Sequence, residues 1–355
     1  MSLNRTVAEA TLRRCMWLEG PFVKPAWGRA GWWPFAAVMS ALAVIFALAA
    51  RSYLRRYALP PPAVAGIYLC FLLSLALALA PALRGSREAL ERWFSSRWMV
   101  PSLPLVWIAP YLIYAAGTGD FRWTALGTLA AIGIGIVAIY TCWPVRDQAA
   151  FNWQDALVAA VLIAVVLSQR LRGIWNVPQN LDFVGRLYLI SVAGWCWTLV
   201  RVVPGLGYDL TLSLRTLKAA GVNLLWFALF AAPVGLALNF IAWNPRWRGW
   251  PQFGLDFLQI FLFIALLEEM FFRGFLQTLL TRTLRSTYGA QALVALLFGL
   301  FHILHAPFPN WRYVALATLA GWFYGAAFRQ GGGLLAAALT HAAVDTLWRA
   351  FFTRG

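Results

Sequence analysis

Three short stretches in the last third of this 355-residue chain carry side chains able to move protons or hold charge. The first is LLEEMFFRGFLQ, Leu266 to Gln277, where Glu268, Glu269 and Arg273 interrupt an apolar run that begins near Phe253. An ionised group near the middle of a membrane-spanning helix costs about 2.5–3.5 kcal/mol even on insertion-derived scales, so each of the three needs a partner, a cavity or a task. At about 100° per residue Glu269 and Arg273 share a helix face, whereas Glu268 lies about 140° round from Arg273. Arg273 is therefore expected to neutralise Glu269 and to leave Glu268 aimed elsewhere. The second stretch, LFGLFHILHA, sets His302 four residues after Phe298, with His305 one turn on. The third, LTHAAVDTLW, sets His341 four residues before Asp345. Each of these pairs shares a helix face. The three histidines are all the chain has. Helices that each turn a Glu or a His inward are how bundles build catalytic or metal sites, and in a bilayer the same convergence keeps charge off lipid.

The elements that must position these groups are membrane spans. Hydrophobic residues make up 61% of the chain and charged residues 12%, mean hydropathy is +0.68, and the apolar residues come in blocks rather than stripes. This predicts an all-α, polytopic transmembrane helical bundle of about 8–11 spans. Apolar blocks lie at about 34–50, 60–83, 100–117, 124–144, 153–168, 183–203, 219–243, 254–281, 289–305, 313–328 and 333–352. Turn-rich or charged connections such as 84–97 and 169–182 separate them. The net charge of +16 is scattered over loops and helix ends, with no basic patch interleaved with aromatics. Lipid headgroups are therefore the expected partner, and nucleic acid is not. Many of the 20 tryptophans flank the apolar blocks, as an interfacial belt would. Cys15, Cys70, Cys142 and Cys196 are too far apart to suggest a disulfide framework or a zinc knuckle. The first 30 residues carry Arg5, Arg13, Arg14, Lys24 and Arg29 without a clean apolar core, so no cleavable signal is expected and the first span would target the chain. Ionisable groups are scarce in the blocks before about residue 180 and concentrated afterwards. The expected organisation is a basic lead-in (1–33), accessory transmembrane helices (34–182) and a C-terminal reaction module (183–352).

The residues EExxxR (Glu268, Glu269, Arg273), FxxxH (Phe298, His302) and HxxxN/D (His341, Asp345), in this order on successive apolar helices, resemble the CPBP intramembrane proteases, which include the CAAX prenyl endopeptidases and the bacterial Abi proteins. The resemblance covers about the last hundred residues and does not reach the region before 183. It implies a glutamic-type peptidase embedded in a membrane, with a bacterial cell membrane as the expected location. Glu268 would be the general base on a water, His302 would help to position that water, and His341 with Asp345 would hold the oxyanion. Glu269, Arg273 and Phe298 would support them. An ionised Asp345 could not donate to an oxyanion, so it would either be protonated or orient His341. The chemistry agrees: peptide hydrolysis needs a base for water, stabilisation of a tetrahedral oxyanion and a proton for the leaving amine. The implied substrate is a membrane protein or a lipid-adjacent peptide, and the implied cofactor is none.

Other readings use the same residues. Glu, two His and Asp make a plausible zinc set, although no HExxH is present. A non-hydrolytic membrane scaffold or bacteriocin-immunity protein needs none of this chemistry, and Glu/His chains also serve proton-coupled transporters. Asp345 could pair with Arg349 four residues on. The GxGD at Gly117, Gly119 and Asp120 and the YD at Tyr208 and Asp209 match motifs of intramembrane aspartyl proteases, but in reversed order and at span ends. Gly321 and Gly325 are expected to let helices approach closely.

Overall fold

A computed structural model describes residues 32–94, 97–143, 145–177 and 181–354. Cys15 and nearly all of the basic lead-in lie outside the described residues. The order of elements is α1 (Trp33–Tyr57), α2 (Pro61–Leu79), α3 (Arg84–Trp93), α4 (Leu103–Thr118), α5 (Trp123–Cys142), α6 (Trp153–Leu167), α7 (Asp182–Trp195) and α8 (Leu214–Ala237). After a short strand β1 (Ile241–Trp243), α9 (Trp250–Ile260) continues without a break to Leu284. It is followed by α10 (Thr287–Leu300), α11 (Trp311–Gly331), α12 (Leu334–Phe351) and β2 (Phe352–Arg354). The protein is an all-α polytopic bundle.

Among the described residues, six segments are long and apolar enough to cross a bilayer: Trp33–Arg51, Pro61–Leu79, Met99–Thr118, Trp123–Cys142, Asp182–Val200 and Leu214–Ala237. The helices that carry the three motifs are not among them. Of these, α10 is apolar but short, and the charged groups on the helix through Glu268 and on α12 must be shielded by neighbouring helices.

Each apolar block of the sequence coincides with a helix, with three corrections. Residues 84–93, read as a connection, form the amphipathic helix α3, whose alternation of Arg and Glu with Ala, Leu and Trp hid it from a hydropathy reading. The block 219–243 does not stay helical to its end. Its last residues pair as β1 with β2, in the register Ile241↔Arg354, Ala242↔Thr353 and Trp243↔Phe352, which ties the exit of α8 to the end of α12. The first half also contains a buried charge. Asp155 and Arg201, both with fully buried side chains, form an ion pair at 3.1 Å. Tyr140 donates to the same carboxylate at 3.0 Å, and Arg201 also donates to the carbonyls of Gln148 and Ala150. Asp155 sits in the first turn of α6, where it also closes a capping box with Asn152. Arg201 directly follows a π turn, Cys196–Val200, at the end of α7.

Small residues set how closely the helices approach. A side chain at Gly66 of α2 would meet the Gly117 backbone of α4 at 2.8 Å, so the glycine of the apparent GxGD is a packing residue. Gly321 of α11 lies against Ala295 of α10 in the same way, at 3.0 Å. One apolar core runs from Leu42 of α1 to Val344 of α12, across both the accessory helices and the reaction module.

Candidate active site

The helix that begins at Trp250 is α-helical only in parts. A π turn (Phe261–Ala265) and a π stretch (Met270–Gln277) flank a single α turn, Leu266–Glu269, which holds both glutamates. Each widened turn inserts extra backbone into the helical register, and such turns are frequent at functional sites. The π stretch is packed by residues that precede the segment beginning at Trp250. Gly274 leaves room for the Tyr208 ring, which touches the position where a Cβ would stand, and Trp197 stacks flat on Phe275 with ring centres 3.8 Å apart.

The two glutamates part company here. Glu269 is fully buried: its Oε1 accepts from Arg273 Nη1 at 2.9 Å and from His341 Nδ1 at 2.8 Å. Arg273, also fully buried, donates its Nη2 to the Gly321 carbonyl at 2.8 Å. Its guanidinium lies 4.7 Å from the centre of the Phe298 ring and 5.4 Å from that of Tyr324, a cation–π setting that replaces lost hydration. Glu268 lines a cavity of about 870 Å³. Its shielded Oε2 has no hydrogen-bond partner among the described residues.

His302, His341 and Asp345 line the same cavity. His302 stands two residues beyond the end of α10 and lies in a turn, not on the helix face expected for it. The helix ends at Leu300, and the chain runs through turns to Pro307 and Pro309, before which Ala306 and Phe308 are biased away from helical geometry. The spacing to Phe298 still brings the pair together. Nδ1 of His302 lies 2.8 Å from the Phe298 carbonyl, and since a carbonyl only accepts, that nitrogen carries the proton and Nε2 is free to act on a molecule in the cavity. His341 is oriented likewise. Nδ1 donates to Glu269, and Nε2 faces Asp345 Oδ2 at 3.6 Å, beyond a hydrogen bond but within ion-pair range. Arg349 pairs with Asp256 at 3.8 Å and not with Asp345. His305 is exposed on the cavity's rim, its ring stacked on that of His302 at 5.5 Å.

Tyr324, which no sequence pattern singled out, belongs to this cluster. Its ring stacks on His341 with centres 4.5 Å apart and planes 14° from parallel. The only signal was its place between Gly321 and Gly325. Both glycines expose α11 backbone carbonyls, and Arg273 and Gln277 reach them from α9. Among the described residues, no three His, Cys, Asp or Glu side chains are placed together as a metal site would require.

A carboxylate and two oriented imidazoles from three helices, gathered on a cavity inside an apolar bundle, form a site suited to hydrolysis within a membrane. Residues 250–347 match the family described as Rce1-like, type II CAAX prenyl endopeptidase. Over these residues the chain is similar to the CAAX-protease family, and the protein is an integral membrane protease. No curated protein and no solved structure matches the chain at a significant level.

Proposed function

We propose that the chain is a glutamate-dependent intramembrane endopeptidase in which Glu268 is the general base. The observation that carries this reading is the division of labour between adjacent carboxylates. Glu269 is engaged by Arg273 and His341 through its Oε1 and is not among the residues lining the cavity, whereas Glu268, with no hydrogen bond or ion pair among the described residues, borders it. A base must reach the water it activates, and of the two only Glu268 does.

Glu268 takes the proton of a water, and the Nε2 of His302 helps to hold that water. The water attacks the substrate carbonyl and an oxyanion forms. His341, with Nε2 protonated, donates to that oxyanion. Asp345 stands near the same nitrogen and orients it. The proton taken by Glu268 then passes to the leaving amine, which closes the cycle without a covalent enzyme intermediate. Glu269 and Tyr324 hold the His341 ring, and Arg273 keeps Glu269 neutralised, so these three act through His341 and not on the substrate. The substrate is a membrane protein or lipid-adjacent peptide, since the cavity walls are largely apolar.

The full chain, reconstituted in vesicles with membrane-anchored reporter peptides, tests the reading. The E268Q protein should unfold at the wild-type temperature and lose turnover by at least about a hundredfold, the usual scale for a general base. Retained turnover in E268Q would end the proposal. Turnover that vanishes with a chelator and returns with zinc would replace it with the metal-dependent version.

A further inference from the structure

The family match begins at residue 250, but the cavity does not stop there. One wall is built by α6 and α7. On α7 the cavity-lining residues are Asp182, Gly185, Arg186, Leu189, Ile190 and Ala193, the i, i+3, i+4, i+7 stripe of a single helix face. Arg186 is the cation on that stripe. It is exposed, has no ion-pair or hydrogen-bond partner among the described residues, and lines the same cavity as Glu268. Its neighbour Asp182 is engaged elsewhere, accepting from the Gly173 amide at 3.1 Å and pairing with Arg172 at 3.9 Å. An unpaired guanidinium on the apolar wall of an intramembrane cavity is expensive, and such groups mark substrate or ion pathways.

We propose that Arg186 is a specificity-determining residue that receives a carboxylate carried by the peptide substrate. This rests on the glutamate-dependent reading above. Because α7 packs directly on the Leu266–Glu269 turn and Arg186 lines the same cavity as Glu268, a peptide cut at Glu268 can present a carboxylate near its scissile bond to Arg186. The planar guanidinium suits a two-point grip on a carboxylate. The carboxylate is either the chain's own C-terminus or an acidic side chain. The rest of the cavity, lined by residues such as Leu189, Ile190, Phe227 and Leu316, takes apolar side chains or a lipid modification.

The test uses full-length protein in vesicles and a library of apolar peptides, each lipidated on one cysteine. The peptides are supplied as free acids, as C-terminal amides, and as amides bearing Asp or Lys at successive positions, with products read by mass spectrometry. In the wild type, peptides with a carboxylate at one fixed position near the cut should be favoured about tenfold, the scale of one charge-assisted contact. The preference should appear in KM, disappear in R186A, survive partly in R186K and turn toward Lys peptides in R186E. Loss of the preference on amidation assigns the terminal carboxylate, and its survival in Asp-bearing amides assigns an acidic side chain. Fluorescent versions of the same peptides bound to E268Q keep the two proposals apart. If nothing is cut but E268Q still favours carboxylates through Arg186, the anchor stands and the hydrolytic reading falls. Glu268-dependent cutting without a carboxylate preference overturns the anchor alone. So does a dependence on Arg186 that follows the anionic phosphatidylglycerol content of the vesicles and not the peptide charge, because it assigns the arginine to lipid headgroups.

Discussion

At the scale of single residues, neighbouring glutamates of one chemical type have different fates because of what surrounds them. Glu269 is paired with Arg273 and bonded to His341, and removing Arg273 leaves a buried carboxylate without its guanidinium. Breaking one side of such a pair costs about 3–5 kcal/mol. R273A is therefore expected to lower the unfolding temperature in detergent sharply, whereas R273A combined with E269A should recover part of the loss. If the double variant were no more stable than R273A alone, the pair would not be the reason Arg273 is there. Tyr324 permits a finer distinction. Y324A removes the stack on His341 and should lower kcat by about a hundredfold, the scale of one misplaced oxyanion donor. Y324F keeps the stack and should retain far more activity than Y324A. Equal losses in the two would show that the hydroxyl, and not the ring, matters.

At the scale of elements, the π-containing helix through Glu268 is held by Trp197 and Tyr208, from the end of α7 and the segment after it. Trp197 in turn donates to the Tyr140 hydroxyl at 3.2 Å, and Tyr140 donates to Asp155. The Asp155–Arg201 pair thus lies behind the wall on which the glutamates rest. D155N or R201M alone should destabilise the protein by about 3–5 kcal/mol, while D155L with R201M should be milder than either, because an apolar pair leaves no ion stranded. Thermal unfolding of the three proteins in one detergent decides this. The glycine contacts make a second case. G66V has no room against the Gly117 backbone, so it should separate α2 from α4 and lower the yield of folded protein, with the loss read by size-exclusion profile after extraction.

At the scale of the whole molecule, the cavity is shared property. The family module supplies the reacting groups, and α6, α7 and α8 supply much of the wall. A bulky residue set into that wall from outside the module should therefore act like an inhibitor. Ala228 of α8 is exposed and borders the cavity. A228W is expected to cut turnover strongly while the unfolding temperature stays close to wild type, as for substitutions away from the packed core. Unchanged turnover would show that substrate does not use this part of the cavity.

How much of this could be read from the residues alone follows from the range of the forces involved. Hydropathy and helical spacing are local, so the blocks, the bundle, the pairing of Glu269 with Arg273 and the nearness of Phe298 to His302 were all open to reading from the chain. The same locality hid α3, whose charged face lowers its mean hydropathy, and the turn at His302, inside a run that reads as apolar helix. It also hid Asp155 and Arg201, which lie 46 positions apart and meet only in the folded protein. Four outcomes belonged to tertiary structure: the sealing of Glu269 by His341, the opening of Glu268 to the cavity, the ring of Tyr324 over that histidine, and the recruitment of Arg186 to the opposite wall. Each depends on which helix packs against which, and at what rotation after two widened turns. Composition says that charge in a membrane must be sheltered; only packing decides which charge is enclosed and which is left facing the cavity.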